Sequence, residues 1–179
     1  HLIERITNKS ITNKFLENEL RDILRQRDDL VSDRFDNIIK RAQIIDVKSH
    51  INSKELVRLI IDRVCMIGHK NLQINQREIK ASVITPFVAV PHLIVDGEKV
   101  FDIIIVRCKK GVYLSREYQS VKAIFFLIGT KDEKTMQLQS ISSIAQIIYN
   151  KNYEKQWLQA KDITNIKDIL LLSMRHRIE

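Results

Sequence analysis

Apolar residues recur at steps of three and four through Leu16, Leu20, Ile23, Leu24, Leu30, Val31, Phe35, Ile38 and Ile39, with charged residues between them. That period predicts a long amphipathic helix, free of Gly and Pro and open to a bend. Its stripe calls for a partner surface, either its own domain or a second copy in a coiled-coil-like pair. The chain starts in mid-pattern at His1, as a fragment of a longer chain or a tag remnant would.

Beyond this helix the period changes several times. A short strand is expected over Gln43 to Val47. Asn52 then offers a helix cap, with Glu55 three residues on to complete a capping box, so a helix should run Ser53 to Ile67 and stop at Gly68. A further short helix is expected over Asn75 to Lys80. Phe87 to Val90, Val100 to Cys108 and Val121 to Ile128 are too apolar for one-sided strands and suit strands covered on both faces. Asp96-Gly97 reads as a hairpin turn between the first two, and Lys110-Gly111 as the end of the second. The helical period returns over Met136 to Tyr149, Tyr153 to Ala160 and Asn165 to Arg175. Helix, short strand, helix, a cluster of strands and closing helices together predict an α/β sandwich with a small mixed sheet.

With 179 residues and 44% hydrophobic content, one core plus an appendage is expected. No apolar run approaches the roughly 18 uncharged residues that span a bilayer, and no signal peptide is legible. Cys65 and Cys108 lack ligand spacing, which points to a reducing compartment and to no structural metal. The net charge of +8 is dispersed as RQRDD, DRFD, KRAQ, CKKG and KDEK, and aromatics are 6%, so nucleic acid is not the expected partner. Four glycines cannot build a phosphate-cradling loop, and no nucleotide motif is present, so no cofactor is expected.

One segment carries candidate chemistry: Arg77-Glu78, Ser82, Thr85 and then VAVPH from Val88 to His92. Pro91 restricts the backbone on both sides and aims His92 out of a buried strand. A neutral imidazole is a nucleophile toward phosphorus and, near neutral pH, also a leaving group. Phosphoryl oxygens would need donors, for which Arg77 and the hydroxyls of Ser82 or Thr85 are at hand, with Glu78 orienting Arg77. His50, His69 and His176 lack partners at ligand spacing and read as surface residues, while Trp157 reads as core.

The order of QRE (Gln76 to Glu78), ASVIT (Ala81 to Thr85), VAVPH, FDIIIVRCKKGVYL, VKAIFFLIGTKDE and LQSISSIAQII resembles the EIIA type-2 domains of the phosphotransferase system, over Leu56 to Leu172. The resemblance implies a three-layer α/β/α sandwich and transient phosphorylation of His92 by a histidine phosphocarrier protein. Sugar-transporting members pass the phosphoryl group to an EIIB domain, whereas regulatory relatives control protein partners. Three departures stand out: Gln137 where the family has a second histidine, Leu93 after Pro-His where a small residue is usual at the docking surface, and Pro86 in a loop one residue short. Gln137 would hydrogen-bond a phosphoryl oxygen without carrying a charge. These changes favour a regulatory relative. The N-terminal stretch LRQRDDLVSDRFDNIIKRA and VPHLIVDGEKVFDIIIVRC are similar to EIIA-like domains appended to bacterial cation/proton antiporters. That implies a cytoplasmic domain tethered at the inner face of the membrane by a transporter domain in the same chain. The expected division is a linker or dimerisation helix over residues 1–42 and an EIIA-like domain over 43–179. A sugar-transport EIIA and a non-catalytic interaction domain that dimerises through the N-terminal helix are the competing readings.

Overall fold

The computed structural model describes residue 23 and residues 32–69 and 74–178; most of the long N-terminal helix expected from Leu16 therefore lies outside the described residues. A compact unit runs Asp33–Ile178. It opens with helix α1 (Arg34–Arg41), begun by a capping box in which Asp33 accepts from the Asp36 N–H and Asp36 accepts from the Asp33 N–H. Phe35, Ile38 and Ile39, the end of the expected linker stripe, are buried in the core of this unit. The packing thus begins ahead of residue 43.

Then follow β1 (Gln43–Val47), β2 (Ile51–Asn52), α2 (Ser53–Met66), α3 (Gln76–Ala81), β3 (Val83–Thr85), β4 (Val88–Ala89), β5 (His92–Ile94), β6 (Phe101–Tyr113), β7 (Val121–Gly129), a 3₁₀ turn at Lys131–Glu133, α4 (Lys134–Ile148), α5 (Tyr153–Gln159) and α6 (Ile163–Leu171). The predicted capping box of α2 is present, with Asn52 accepting from Lys54 and Glu55 and returning its own N–H to the Glu55 carboxylate at 2.8 Å.

The sheet is ordered β1-β6-β7-β4-β3, with β2 also on β6 and β5 on β7. β1 is parallel to β6, β4 and β5 are parallel to β7, and β6 and β7 are antiparallel. Strict alternation in the two long central strands sorts the core into two layers. Ile103, Ile105, Phe125 and Leu127 face α1, α4, α5 and α6, whereas Ile104, Val106, Ile124, Phe126 and Ile128 face α2 and α3. The result is the expected three-layer α/β/α sandwich with a mixed sheet.

Three local expectations are corrected. Asp96-Gly97 does not close a hairpin, because β5 and β6 pair with opposite sides of β7 and the connection passes over the end of that strand. Lys110-Gly111 does not end β6. Gly111, at φ +88, takes a conformation open to glycine and turns the chain through a bulge, after which pairing resumes at Val112. The last helix stops at Leu171, well before Arg175, because Arg175 and Arg177 are drawn away to Asp33 and Asp36.

Candidate active site

The loop between α2 and the sheet sets up one side of the site. Asn75 caps α3 by accepting from the Arg77 N–H at 2.9 Å, and Ser82 closes it, its hydroxyl donating to the Ile79 carbonyl at 2.6 Å. Thr85 then makes the turn into β4, its hydroxyl oxygen accepting from the N–H groups of Phe87 and Val88. Val90 donates to the Ser82 carbonyl at 2.9 Å, which ties the end of the β4 segment to the end of α3.

Pro91 is buried, and its carbonyl accepts from the Leu127 N–H at 2.9 Å, so the residue without an N–H still holds the ladder through its oxygen. His92 then opens β5 in register with Leu127. Strand alternation turns His92 outward, Leu93 inward and Ile94 outward. This corrects the expectation for Leu93, which is 7% exposed and packs against the α2 side of the sheet instead of facing a docking partner; Ile94, 58% exposed, holds that place.

His92 looks into an open cleft of about 570 Å³ walled by Glu78, Ala81, Ser82, Val90, Leu93 and Ile94. The structure therefore brings together His92, Ser82 and Glu78 of the residues singled out from sequence. It does not bring Arg77, Thr85 or Gln137 into that wall: Arg77 is exposed on the first turn of α3, Thr85 serves its turn, and Gln137 is half-buried on the first turn of α4. Among the described residues, the cleft wall holds one carboxylate and one hydroxyl, with no Lys or Arg, and the His92 ring has no hydrogen-bond partner. Ile94 and Ala81 were missed in sequence; strand alternation from His92 could have found Ile94.

A smaller cavity of about 330 Å³ lies between Ile147, Tyr153 and Asp168, and its described wall holds neither an imidazole nor an anion-binding cation. No three His, Cys, Asp or Glu side chains among the described residues converge as a metal site requires.

The family model described as "Phosphoenolpyruvate-dependent sugar phosphotransferase system, EIIA 2" matches residues 38–172. No curated protein matches the chain. Among solved structures, the fold is similar to the nitrogen regulatory protein IIA-Ntr of Neisseria meningitidis, at 14% identity and a TM-score of 0.55 over 76% of this chain and 98% of that one. It is also similar to IIA mannitol of Escherichia coli, at 13% identity and a TM-score of 0.53 over 72% and 95%. The mannitol-specific cryptic phosphotransferase enzyme IIA of Escherichia coli gives 13% identity and 0.52 over 69% and 92%.

Proposed function

The chain belongs to the EIIA type-2 family of the phosphoenolpyruvate-dependent sugar phosphotransferase system, and from that premise we propose that His92 is its phosphoryl-accepting residue and that the phosphorylated state serves as a signal. The observation that carries this reading is an outward-facing imidazole on a strand paired to β7, free of hydrogen-bond partners among the described residues, over an open cleft.

A ring nitrogen of neutral His92 attacks the phosphorus of the phosphocarrier's phosphohistidine. The new N–P bond forms on His92 as the donor's N–P bond breaks, and the donor imidazole leaves with that electron pair. Ser82 contributes a hydrogen bond to a phosphoryl oxygen only after its hydroxyl rotates away from the Ile79 carbonyl. Glu78 repels the dianionic group when ionised. Among the described residues the cleft wall holds a carboxylate and no cation, a composition that favours a short-lived phosphoryl group and suits regulation better than storage. Arg77 reaches the phosphoryl oxygens only by swinging its exposed side chain inward.

We place this domain, on the sequence resemblance of its N-terminal stretch and strand region, at the cytosolic end of a bacterial cation/proton antiporter. Onward transfer to an EIIB cysteine is the second reading, favoured by the sugar phosphotransferase description of the family itself. Incubation with phosphoenolpyruvate, enzyme I and the phosphocarrier should give an acid-labile label on the wild-type chain and none on His92→Ala. Label retained on His92→Ala sinks the assignment. A chase in which EIIB removes the label identifies the sugar-transport reading.

A further inference from the structure

Lysines scattered along the sequence meet at one end of the sheet. β1 runs parallel to β6 with Val47 beside Cys108, which brings Lys48 next to the start of the β6 bulge. Arg107 stands opposite Ala123 and Val112 opposite Val121, so Cys108 to Gly111 bow out over the single residue Lys122. The bulge presents Lys109 and Lys110 to solvent. Its carbonyls are braced: Lys122 Nζ donates to the Lys109 oxygen at 2.8 Å, and His50 Nδ1 lies 3.3 Å from the Lys110 oxygen. Such a braced bulge is a built feature, and here its effect is to project two cations.

The carboxylate in bonding contact with this group is Asp46, which Lys48 approaches at 2.7 Å, but Arg107 holds Asp46 as well. Cations therefore remain in excess. The other acidic residues of these segments are Glu55, engaged in the cap of α2, and Glu117 in the β6–β7 loop beside Arg116.

We infer that this end of the domain, formed by Lys48, Lys109, Lys110 and Lys122, docks on an anionic lipid bilayer. Lysines on flexible stems suit a diffuse surface of headgroup charge. Nucleic acid recognition would call for several guanidinium forks and stacking rings, yet of the two arginines in these segments Arg107 is fully buried and committed to Asp46 and α5, which leaves Arg116 of the β6–β7 loop as the one exposed guanidinium. The exposed aromatic on this stretch is Tyr113, 38% exposed, whose ring and hydroxyl suit the headgroup level. Leu127, the partner of His92, lies six residues along β7 from Val121, about 20 Å at strand spacing. Docking at the lysine end would leave the cleft open to a soluble donor. The inference does not use the chemistry of His92, and its test does not read phosphorylation.

The full chain is floated with vesicles of phosphatidylcholine alone and with phosphatidylglycerol making up roughly a third of the lipid. Binding should appear on the anionic vesicles only and fall as salt is raised. Lys109→Glu with Lys110→Glu should weaken it by at least about 25-fold, since each lysine near such a surface contributes roughly a factor of five. The same reversal at exposed Lys80 and Lys134, outside the cluster, should cost far less. An unchanged urea midpoint shows that both variants are folded. Equal binding to both vesicle types, equal loss in both double variants, or tighter binding to duplex DNA than to the anionic vesicles overturns the inference.

Discussion

Arg107 is the side chain whose removal should be felt most. It sits on the face of β6 that carries Ile103 and Ile105 toward the helices, with its side chain fully buried. Its Nε and Nη2 donate to the two Asp46 oxygens at 2.9 and 2.7 Å, while Nη1 donates to the carbonyls of Trp157 and Ala160 at 3.1 and 2.5 Å, closing the C-terminal end of α5. The hydrogen bonds from Arg107, aided by Lys48 and opposed by burial, hold the Asp46 carboxyl at about 2 against an ordinary 3.8. That depression corresponds to roughly 2 kcal/mol. Arg107→Met keeps the volume but strips Asp46 to its Lys48 contact and leaves two helix-end carbonyls without their donor, each worth about 1 kcal/mol. Apolar burial of the Met returns part of this, so the net cost should be about 3 kcal/mol, or roughly 6–12 °C in Tm. Urea unfolding read by Trp157, the single tryptophan, measures it. The sign with pH follows from the lowered pKa: the Asp46 contribution is complete above the unfolded value near 3.8 and is lost as pH falls toward 2, with about half gone at pH 3. The wild type should therefore lose its advantage over Arg107→Met between pH 5 and pH 3, by about 1 kcal/mol. A variant within about 1 kcal/mol of wild type at pH 7 refutes the reasoning. So does a difference that does not change with pH.

Two further substitutions probe features that position the C-terminal segment against α1 and shape the bulge. Arg175→Met removes a buried guanidinium that bonds Asp33 and Asp36 at 2.7 and 2.9 Å and lies 4.7 Å from the Phe35 ring centroid; it should cost about 3 kcal/mol and raise amide exchange across residues 172–178 and α1, and exchange unchanged from wild type refutes it. Gly111→Ala meets both a left-handed φ of +88 and Ser120, whose Cα lies 2.8 Å from the added Cβ; a loss of about 2 kcal/mol or more in urea unfolding is expected, and a neutral result refutes the strain.

The parts of the fold visible in the sequence are those governed by local chemistry. Asn52 and Glu55 form their cap from side chains three residues apart, and the apolar runs of β6 and β7 announce strands buried on both faces. What escaped notice depends on distant partners. Asp96-Gly97 has the composition of a hairpin turn, yet strand pairing is decided by β7, which takes β5 on one side and β6 on the other. The helical pattern from Asn165 continues toward Arg175, yet carboxylates more than a hundred residues earlier capture the arginines. The same division holds at the site. His92 could be placed from Pro91 and the strand before it, because both act within a few residues. Ser82 and Glu78 were legible beside it, and the tie between Ser82 and Val90 carries them to the cleft, but the sequence could not show that Arg77, one residue before Glu78 on the same helix, stays exposed outside the cleft wall.

Charge shows the gap between sequence and space most directly. Along the chain, Lys48, Lys109, Lys110 and Lys122 are separated by apolar strands and read as a solvated, mildly basic surface. Parallel pairing of β1 with β6 and the return of β7 bring those three segments to one end of the sheet. The bulge at Gly111 then turns two of the lysines outward. A glycine that composition alone reads as a strand end therefore shapes this lysine-rich end of the sheet, and its effect depends on strand pairing that only the folded sheet supplies. It follows that Gly111→Ala should weaken binding to anionic vesicles in step with its loss of stability, whereas Lys109→Glu with Lys110→Glu should weaken binding with no such loss.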